Sequence, residues 1–573
     1  MPLWWNWQTR WTQNPVVAIP CRFDSDQRHQ TRIERTLMKV KVRFIFVKDC
    51  HAFYINFTRN CFTLFAQTTI MQGENMKKVI IVGCGVAGLA AGTYLRANGY
   101  DVTILEKNAT IGGACIGWER KGQYIEGCIH WLSGVNPQSN VYPLWRDTHA
   151  ITDDSEFFYQ DDLVKNVFCD GTTFTLWADL DKTERELITF APEDEKQIKK
   201  FIALIKKFRK VNPPADKPVD LMNIADLLKV AFTMGGLYYW VNKTSKISCE
   251  EYAKKFKNLY LRDVIAHFMA PDYNFMSMLY MLGHITNKDG AIPIGGSVKM
   301  IERMAQRFLE LGGKIQKNAP VSEIIVENGV ATGVKLKNGE VVSADWVVCT
   351  APPEYTFSTL LNGKYHDKKF EKRIADEKRY PIYTYTIAVI KCPRSVADKS
   401  LSINYQLEKP FVIDAEYDKI SFRNYGYDPT VKSDDDSCVI QACIHSNDKM
   451  YHWWKQAKND GTYKETKKRI GNELLSIAKT VYPDCADELE LIDVITPCTY
   501  ERYLNSRHGC FQAFIHTDKG APMMHDGKIK GLKNFYLCGQ WLIQSGGLPP
   551  AVMSGRFTAQ RICKADKKKF VNP

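Results

Sequence analysis

The feature that most constrains this chain is the stretch VIIVGCGVAGLAAGTYLRANGYDVTILE, which covers residues 79–106. An apolar run at 79–82 predicts a buried parallel strand, and a second run at 102–105 predicts another. Between them, residues 87–98 have helical composition and lead into an Asn-Gly pair that is typical of a helix end. The pattern therefore predicts a strand–helix–strand unit and an α/β fold built on a parallel sheet.

Three glycines and one acid in this unit have the spacing of a dinucleotide-binding site. Gly83, Gly85 and Gly88 form G-x-G-x-x-G, and Glu106 ends the second strand. The first glycine allows a tight turn, the second lets a pyrophosphate approach the backbone, and the third lets helix and strand pack closely. The free N–H groups of the helix N-terminus attract the phosphates. We expect Glu106 to accept hydrogen bonds from ribose hydroxyl groups.

A second glycine motif indicates FAD rather than NAD as the dinucleotide. Gly112 and Gly113 follow Glu106 within the sequence KNATIGGACIGWERKGQYIEGCIHW. This segment resembles the FAD-binding signature of the glutathione-reductase and amine-oxidase superfamily. The resemblance implies a Rossmann-like FAD-binding domain of that type, with an inserted α+β substrate domain.

A third motif lies near the C-terminus, in NFYLCGQWLIQSGGLPPAVMSGRFTAQRIC. It predicts a strand at 535–538, a turn at Gly539 and a helix at 551–563. In the superfamily that the chain resembles, this strand and turn return to the FAD and the helix N-terminus points at the flavin. The resemblance implies that Gly547 and Pro549 hold backbone against the ring, and the positive helix end favours an anionic reduced flavin.

The middle of the chain narrows the resemblance to one group of this superfamily. Residues 293–353, PIGGSVKMIERMAQRFLELGGKIQKNAPVSEIIVENGVATGVKLKNGEVVSADWVVCTAPP, are similar to the corresponding segment of phytoene desaturases, carotenoid isomerases and retinol saturases. The ending GGLPPAVMSGR is similar to that group as well. Val321 matches the position whose backbone contacts the adenine there. The cofactor-binding residues expected from all motifs are Gly83, Gly85, Val86, Ala87, Gly88, Glu106, Lys107, Gly112, Gly113, Val321, Gly539, Gly547 and Pro549.

The sequence shows neither a nucleophile–base constellation nor a His/Glu metal motif, so we expect no metal in the reaction. This fits a flavoenzyme, in which the cofactor exchanges hydride while the protein orients the substrate and excludes water. His130, which precedes Trp131, is a candidate proton donor or ring-positioning group, with a structural histidine as the alternative. Glu126 is expected to be a surface or ion-paired acid.

Composition limits the function classes further. The net charge of +13 is spread along the 573 residues without base-reading motifs, so nucleic acid is not an expected partner. The 17 cysteines lack C-x-x-C and zinc-type spacing, which favours a reducing cytoplasm. Apolar runs are too short for a membrane-spanning helix, and attraction to an anionic membrane surface is left open.

The first 75 residues differ from the rest of the chain. The opening, MPLWWNWQTRWTQNPVVAIPCRFDSDQRH, has neither helical nor strand periodicity and lacks the apolar core of a secretory signal. It resembles a conceptual translation of a bacterial leucine tRNA gene. We therefore expect residues 1–75 to be a spurious extension and translation to begin at Met76, with a genuine N-terminal extension as the alternative.

The motifs divide the remainder into two interleaved domains. Residues 76–150, 291–353 and 517–573 are expected to form a discontinuous FAD-binding domain, and residues 151–290 and 354–516 a substrate domain. In the first insert, EDEKQIKKFIALIKKFRK predicts an amphipathic helix packed on its own core. The more apolar IADLLKVAFTMGGLYYWVNK is also expected to pack in a core, although it could line a lipid tunnel or enter a membrane surface.

The resemblance implies an FAD-dependent oxidoreductase that desaturates, saturates or isomerises a long apolar polyene or related lipid. Only one dinucleotide motif is present, so electrons are expected to pass to or from a separate carrier, a quinone or oxygen. A flavin amine oxidase is one alternative. A non-catalytic prenyl-lipid carrier of the GDP-dissociation-inhibitor type is another, although the intact phosphate glycines argue against it.

Overall fold

The computed structural model describes residues 76–269, 272–431, 433 and 435–573. The expectation about residues 1–75 therefore lies outside the described residues. The strands are β1 Lys78–Val82, β2 Asp101–Leu105, β3 Gly117–Arg120, β4 Gln123–Glu126, β5 Leu132–Ser133, β6 Phe157–Phe158, β7 Asp162–Val167, β8 Thr173–Trp177, β9 Gly290–Pro293, β10 Lys314–Gln316, β11 Val321–Glu327, β12 Val330–Leu336, β13 Val341–Ser343, β14 Trp346–Cys349, β15 Thr384–Pro393, β16 Ser402–Val412, β17 Glu416–Asn424, β18 Ser437–Ser446, β19 Glu490–Ile495 and β20 Phe535–Leu537.

The α-helices alternate with these strands through most of the described chain. They are α1 Val86–Ala97, α2 Tyr142–Asp147, α3 Leu180–Phe190, α4 Glu195–Phe208, α5 Ile224–Ser245, α6 Cys249–Ala253, α7 Leu259–His267, α8 Phe275–Thr286, α9 Gly296–Glu310, α10 Pro353–Tyr355, α11 Lys368–Ala375, α12 Asp448–Asn459, α13 Tyr463–Val481, α14 Pro497–Leu504 and α15 Leu548–Ala565. The last helix begins three residues before the predicted start at 551, because prolines are tolerated in a first turn.

A five-stranded parallel sheet, in the order β10-β2-β1-β14-β20, organises the first part of the fold. The register pairs Val82 with both Leu105 and Cys349, and Cys349 with Leu537. The carboxyl ends of four strands therefore lie at one level of one sheet edge. Both faces are covered, since Val79 and Ile81 belong to one apolar cluster and Ile80 and Val82 to another. This burial on both sides explains the unbroken apolar runs in the sequence.

A seven-stranded mixed sheet, in the order β19-β15-β18-β17-β16-β7-β8, organises the second part. Strands β7 and β8 come from residues 151–290, and the other five come from residues 354–516. The two inserted stretches therefore share one sheet, in which β16 and β7 run parallel and the remaining neighbours run antiparallel. The exact division into two domains stays a prediction.

Helix α4 is the amphipathic helix expected from EDEKQIKKFIALIKKFRK. Its buried residues are Ile198, Phe201, Ile202, Ile205 and Phe208. They join an apolar cluster with residues from α6, α7 and α8. The spacing of the apolar positions, three and four residues apart, places them on one face, and the charged positions face solvent.

Helix α5 was expected to pack in a core, but only one of its sides does so. One stripe, made of Met234, Leu237, Trp240 and Val241, packs partly buried against the cluster that contains α4. The other side is exposed although it is also apolar, and Phe232 is 91% exposed. A helix with apolar residues all round needs cover on every side, and the described residues cover one side only. The exposed large apolar side chains are Ile224, Leu227, Leu228, Phe232, Tyr238 and Tyr239.

A search of the described residues for long apolar helices finds none that could cross a membrane.

Candidate active site

The carboxyl ends of four parallel strands carry the loops from which the site is built. Gly83 follows β1, Glu106 follows β2, Thr350 follows β14, and Gly539 follows β20 by two residues. Ligands of open α/β sheets bind at this edge. Thr350 was not predicted, and its Oγ1 donates to the carbonyl of Val82 at 2.8 Å. A Cβ built on Gly83 would lie 2.4 Å from that Oγ1, so Thr350 fills the space beside the first glycine.

The glycine-rich loop has the close packing that its sequence predicts. Gly83 has φ +102°, a conformation that favours glycine. A Cβ on Gly88 would lie 2.1 Å from the carbonyl oxygen of Gly83, which no side chain could accommodate without a shift. The Gly112-Gly113 segment runs beside Gly85, with the amide of Gly112 donating to the carbonyl of Cys84 at 2.8 Å. The two glycine motifs, separate in sequence, thus form one surface.

The N-terminus of α1 opens onto this surface. The helix starts at Val86 and Ala87, and among the described residues no side chain caps it or places a carboxylate in its first turn. The first N–H groups of a helix have no partner within the helix. They are available here to an anionic group such as a phosphate.

Glu106 lies buried at the end of β2, beside the glycine-rich loop. Its Oε2 accepts from the amide of Cys84 at 2.9 Å, and its Oε1 accepts from the amide and side-chain nitrogens of Asn108 at 2.8 and 3.0 Å. Its backbone carbonyl accepts from the amide of Ala319 at 2.8 Å. This bond brings the segment that leads to Val321, the first residue of β11, next to the carboxylate.

The ammonium group of the neighbouring Lys107 is hydrogen-bonded to other parts of the protein. Its Nζ donates to the carbonyl of Arg502 at 3.1 Å and to Oδ1 of Asn505 at 2.8 Å, both near the end of α14. Partial burial lowers the pKa of its ammonium group. Lys107 therefore joins the cofactor edge to α14, and its predicted contact with the cofactor remains a prediction.

The C-terminal motif forms a loop with two glycines in conformations that other residues rarely adopt. Gly539 has φ +128° and its amide donates to Oγ of Ser554 at 2.8 Å. Gly547 has φ +89° and its amide donates to Oε1 of Gln540 at 2.8 Å. A Cβ on Gly547 would meet nothing within 4 Å among the described residues, so the loop has an open side there. Pro549 stands in the first turn of α15, where its missing N–H removes one donor.

Helix α15 joins this loop to the glycine-rich loop. A Cβ on Gly555 would lie 2.7 Å from Cβ of Ala90 and 2.8 Å from the carbonyl oxygen of Ala87, so α15 packs closely on α1. The Sγ of Cys538 lies 3.9 Å from that same carbonyl of Ala87. The first and last motifs of the sequence, more than 400 residues apart, are therefore in contact.

Five side chains form an aromatic wall next to the C-terminal loop: His130, Tyr385, His445, Tyr500 and Phe511. Tyr385 stacks on Phe511 with ring centroids 3.9 Å apart, and its edge contacts with His445 and His130 are 4.5 and 6.4 Å. The ring centroids of Phe511 and Tyr500 are 6.5 Å apart. His445 is surrounded by protein atoms, although its side chain remains solvent-accessible.

Hydrogen bonds fasten the aromatic wall to the C-terminal loop. Nε2 of Gln540 donates to the carbonyl of Phe511 at 3.3 Å, and Nε2 of Gln512 donates to the carbonyl of Ser545 at 2.7 Å. The loop that carries Gly539 and Gly547 and the wall therefore form one continuous surface. This wall was not predicted, because its members are spread over residues 130–511 and share no local motif.

The ionisable groups of the wall are neutral at physiological pH. Burial lowers the pKa of His130 to about 3, with a further contribution from the Arg423 guanidinium and from His445. Burial likewise lowers the pKa of His445 to about 4 and raises the pKa values of Tyr385 and Tyr500. His130 is therefore an imidazole rather than an imidazolium, and its carbonyl accepts from Arg423. Of the two predicted roles, a neutral ring suits positioning better than proton donation.

Glu126 is neither exposed nor ion-paired with any described residue, contrary to expectation. It is buried, and its carboxylate accepts from the amides of Cys128, Ile129 and Ser297 at 2.8, 3.0 and 2.9 Å. Ser297 is in the first turn of α9, so the carboxylate satisfies the helix N-terminus and the loop before His130 together. It fixes the loop that leads into the aromatic wall.

These residues fit a bound dinucleotide. The uncapped N-terminus of α1, the closely packed glycine loop and the buried carboxylate of Glu106 match a pyrophosphate and a ribose. The open side at Gly547 leaves room for a flat ring beside the C-terminal loop.

One family of flavoproteins is similar to part of this chain. The family described as flavin containing amine oxidoreductases matches residues 86–362. The chain is therefore similar to the amine-oxidase-like flavoproteins over this segment. Its fold class, its enzyme class as an FAD-dependent oxidoreductase and its cofactor are thereby confirmed.

Relatives within this family are enzymes of carotenoid metabolism by name. A phytoene desaturase (neurosporene-forming) of Rhodobacter capsulatus is 25% identical over 525 residues, covering 86% of this chain and 95% of that protein. The chloroplastic prolycopene isomerase of Daucus carota is 23% identical over 508 residues, covering 84% of this chain and 79% of that protein. Putrescine oxidase bound to putrescine shares the fold, with a TM-score of 0.52 at 16% identity over 85% of this chain and 99% of that one.

Proposed function

We propose that this flavoprotein exchanges hydride with a long apolar polyene or related lipid, and thereby desaturates, saturates or isomerises it. The observation that carries the proposal is the aromatic wall, whose imidazole and phenol groups are neutral and which adjoins the C-terminal loop. A polyene needs an apolar, aromatic surface more than it needs charged ligands. The desaturases and the isomerase among its relatives support the same substrate class.

One set of residues would bind the cofactor and another set would position the substrate. Bound FAD supplies a centre that accepts or donates hydride. Gly83, Gly85 and Gly88 would hold its pyrophosphate, and Glu106 its ribose. The aromatic wall would exclude water and align one carbon of the polyene with the ring at the distance of a near-attack geometry, about 3–3.5 Å. We propose that His130 positions the substrate or the ring.

The decisive assay follows the substrate in both redox states of the enzyme. Purified FAD-loaded protein is mixed under anaerobic conditions with phytoene or prolycopene in liposomes, with FAD either oxidised or pre-reduced. The proposal expects a product that differs by two hydrogens or by double-bond geometry. If small amines reduce the flavin while neither polyene reacts in either state, the amine-oxidase alternative replaces the polyene proposal.

Only one dinucleotide motif is present, so we also propose a separate carrier, a quinone or oxygen as the electron partner.

We propose further that helix α5 contacts a membrane surface from which the substrate comes. The helix exposes apolar side chains along its 22 residues and carries exposed Lys229 and Lys243. Apolar residues flanked by lysines are typical of helices that lie in the headgroup region. Val219, just before the helix, lines a cavity of about 290 Å³ together with Met524, Leu542, Ile543 and Phe557. This cavity reaches the C-terminal loop, and its lining also includes the polar or charged residues Asp220, His525, Asp526, Ser554 and Arg561.

Liposome sedimentation tests the membrane contact. The double variant Leu228→Asp with Phe232→Asp should lose most of its binding to liposomes containing anionic lipid, because both side chains are exposed on α5. Leu309→Asp is the matched control, since Leu309 is half exposed on α9. Equal sedimentation of the double variant and the unmodified protein would remove α5 from the proposal.

A further inference from the structure

A second group of ligand-type side chains lies where α12 meets the short turn Arg507–Gly509. Asp448 is the first residue of α12, His452 follows one turn later on the same face, and His508 lies in the turn. One ligand atom from each lies within 4.8 Å of the others. Nδ1 of His508 and Oδ2 of Asp448 are 3.9 Å apart, too far for a hydrogen bond. The gap between the three side chains suits an ion that contacts all of them.

The backbone and the neighbouring rings hold His508 in place. Its φ of +46° and ψ of +29° are left-handed values that non-glycine residues adopt rarely and at a cost. Its ring stacks on Tyr451 at 4.9 Å and meets the edge of His452 at 4.6 Å. Among the described residues its buried Nδ1 has no hydrogen-bond partner. A nitrogen held in this way and left without a partner indicates a ligand.

The cations around the group are already engaged by other acids. Arg507 forms ion pairs with Glu354 at 3.0 Å and Glu377 at 2.7 Å, and Lys455 forms one with Glu501 at 2.9 Å. Within the described part of the chain, no lysine or arginine lies within ion-pair distance of Asp448. The carboxylate and the two imidazoles are therefore free to share a cation.

We propose that Asp448, His452 and His508 bind one divalent transition-metal ion, for which zinc fits the donor set. Two imidazole nitrogens and one carboxylate oxygen form a common three-ligand zinc set, with water in the fourth position. Tetrahedral ligation brings ligand atoms to about 3.4 Å from one another, given metal–ligand distances near 2.1 Å. The side chains must therefore approach each other by about 0.5 to 1.4 Å.

The ion would join two elements that end near the aromatic wall. His508 lies three residues before Phe511, and α12 follows β18, which carries His445. The carbonyl of Gly509, next to His508, accepts from Oγ1 of Thr384, which precedes Tyr385. The ion would therefore tie α12 to the turn and support the wall without touching it. The role is structural and independent of the proposed substrate.

Cobalt titration of the full-length, untagged, FAD-loaded protein tests the site. The Cys169→Ser background removes an exposed thiol that could bind the metal. We expect one equivalent of Co²⁺ to bind with the visible absorption of a low-coordinate site, and Zn²⁺ to displace it. His452→Gln and His508→Asn should each weaken Co²⁺ binding at least about tenfold, since even outer-shell changes at metal sites weaken binding that much. Asparagine tolerates the left-handed backbone at position 508.

His267→Gln is the matched control. His267 pairs with Asp263 at 3.0 Å with the same four-residue spacing on a helix, but Asp263 is also bound by Lys419. The control should bind Co²⁺ like the background protein. Flavin content and circular dichroism identify any variant that fails to fold, and two independent ligand variants guard against that outcome. Unchanged affinity in both ligand variants, or an equal loss in His267→Gln, would overturn the proposal.

Discussion

At the scale of single residues, the carboxylate of Glu106 has two kinds of partner. In the protein alone it accepts three hydrogen bonds from Cys84 and Asn108, which connect β2 to the glycine-rich loop. Its position beside that loop also suits the ribose of FAD. A single buried acid can therefore order the loop and complete the cofactor site, so its replacement affects both.

Replacing Glu106 by glutamine should weaken FAD binding. A charge-assisted hydrogen bond contributes about 1.5–3 kcal/mol, which corresponds to roughly a 10- to 150-fold rise in the dissociation constant. Calorimetric titration of the apoprotein with FAD measures this change, and the melting temperature of the apoprotein reports the loop separately. Glu119→Gln, at an exposed site on β3, is the control. An unchanged FAD affinity would show that Glu106 does not hold the ribose.

Two glycines of the same loop should respond differently to substitution. Gly88→Ala should destabilise the protein with or without flavin, because its Cβ would meet the backbone carbonyl of Gly83 at 2.1 Å. Gly85→Val should leave the apoprotein folded but remove its yellow colour, because a Cβ there lies 3.5 Å from the nearest described atom and faces the glycine surface. Thermal melts and flavin absorbance separate the two effects. A yellow Gly85→Val protein would contradict the placement of the pyrophosphate.

The residues whose arrangement the sequence predicts are those encoded in local spacing, and their contacts with the cofactor stay a prediction. The glycines and Glu106 are fixed by their own strand, turn and helix, so the motif alone predicts their arrangement. Thr350 and Glu126 depend on contacts between distant segments, and a threonine or an isolated acid carries no local signal. Their roles therefore appear only in the folded chain.

At the scale of elements, helices α4 and α5 show why composition predicts packing only in part. Both are helices, and both have enough apolar residues for a core. In α4 the apolar positions form one stripe, so the buried face follows from the spacing. In α5 they surround the helix, and whether each side is covered depends on which other elements pack there. The sequence of α5 does not contain that information.

The contrast between the two helices predicts unequal effects of the same substitution. Phe201→Ala in α4 should lower the free energy of unfolding by about 3–5 kcal/mol, because its ring is fully buried among Tyr252, Phe256 and Phe275. Phe232→Ala in α5 should change it by less than about 0.5 kcal/mol, since the ring is exposed. Urea denaturation monitored by fluorescence measures both values. A large loss in the α5 variant would mean that this side is covered.

At the scale of the whole molecule, buried histidines make stability depend on pH. Burial lowers the pKa of His516 to about 4 and that of His130 to about 3 in the folded state, whereas both have pKa values near 6.5 when unfolded. Below pH ~6.5 the unfolded chain binds more protons than the folded one, so the unfolding free energy falls as the pH is lowered.

Urea denaturation between about pH 5 and 6.5 tests this dependence, a window in which the carboxylates remain ionised. The stability should fall steadily as the pH decreases, and His516→Gln and His130→Gln should each flatten the slope. Asn242→Gln, at an exposed site without a titratable group, should leave the slope unchanged. Parallel slopes in all three variants and the unmodified protein would assign the pH dependence to other groups.

The parallel sheet takes its strands from three separate stretches of the chain, and this has a consequence for biosynthesis. The edge strand β20 and helix α15 lie in the last 39 residues, and α15 closes against the helix that carries the glycine motif. A ribosome must synthesise more than 400 residues beyond the glycine motif before these parts can meet. During synthesis, the first glycine motif therefore leaves the ribosome hundreds of residues before the loop that completes the pocket. Holding the vitamin-derived cofactor must therefore wait until that late loop has left the ribosome.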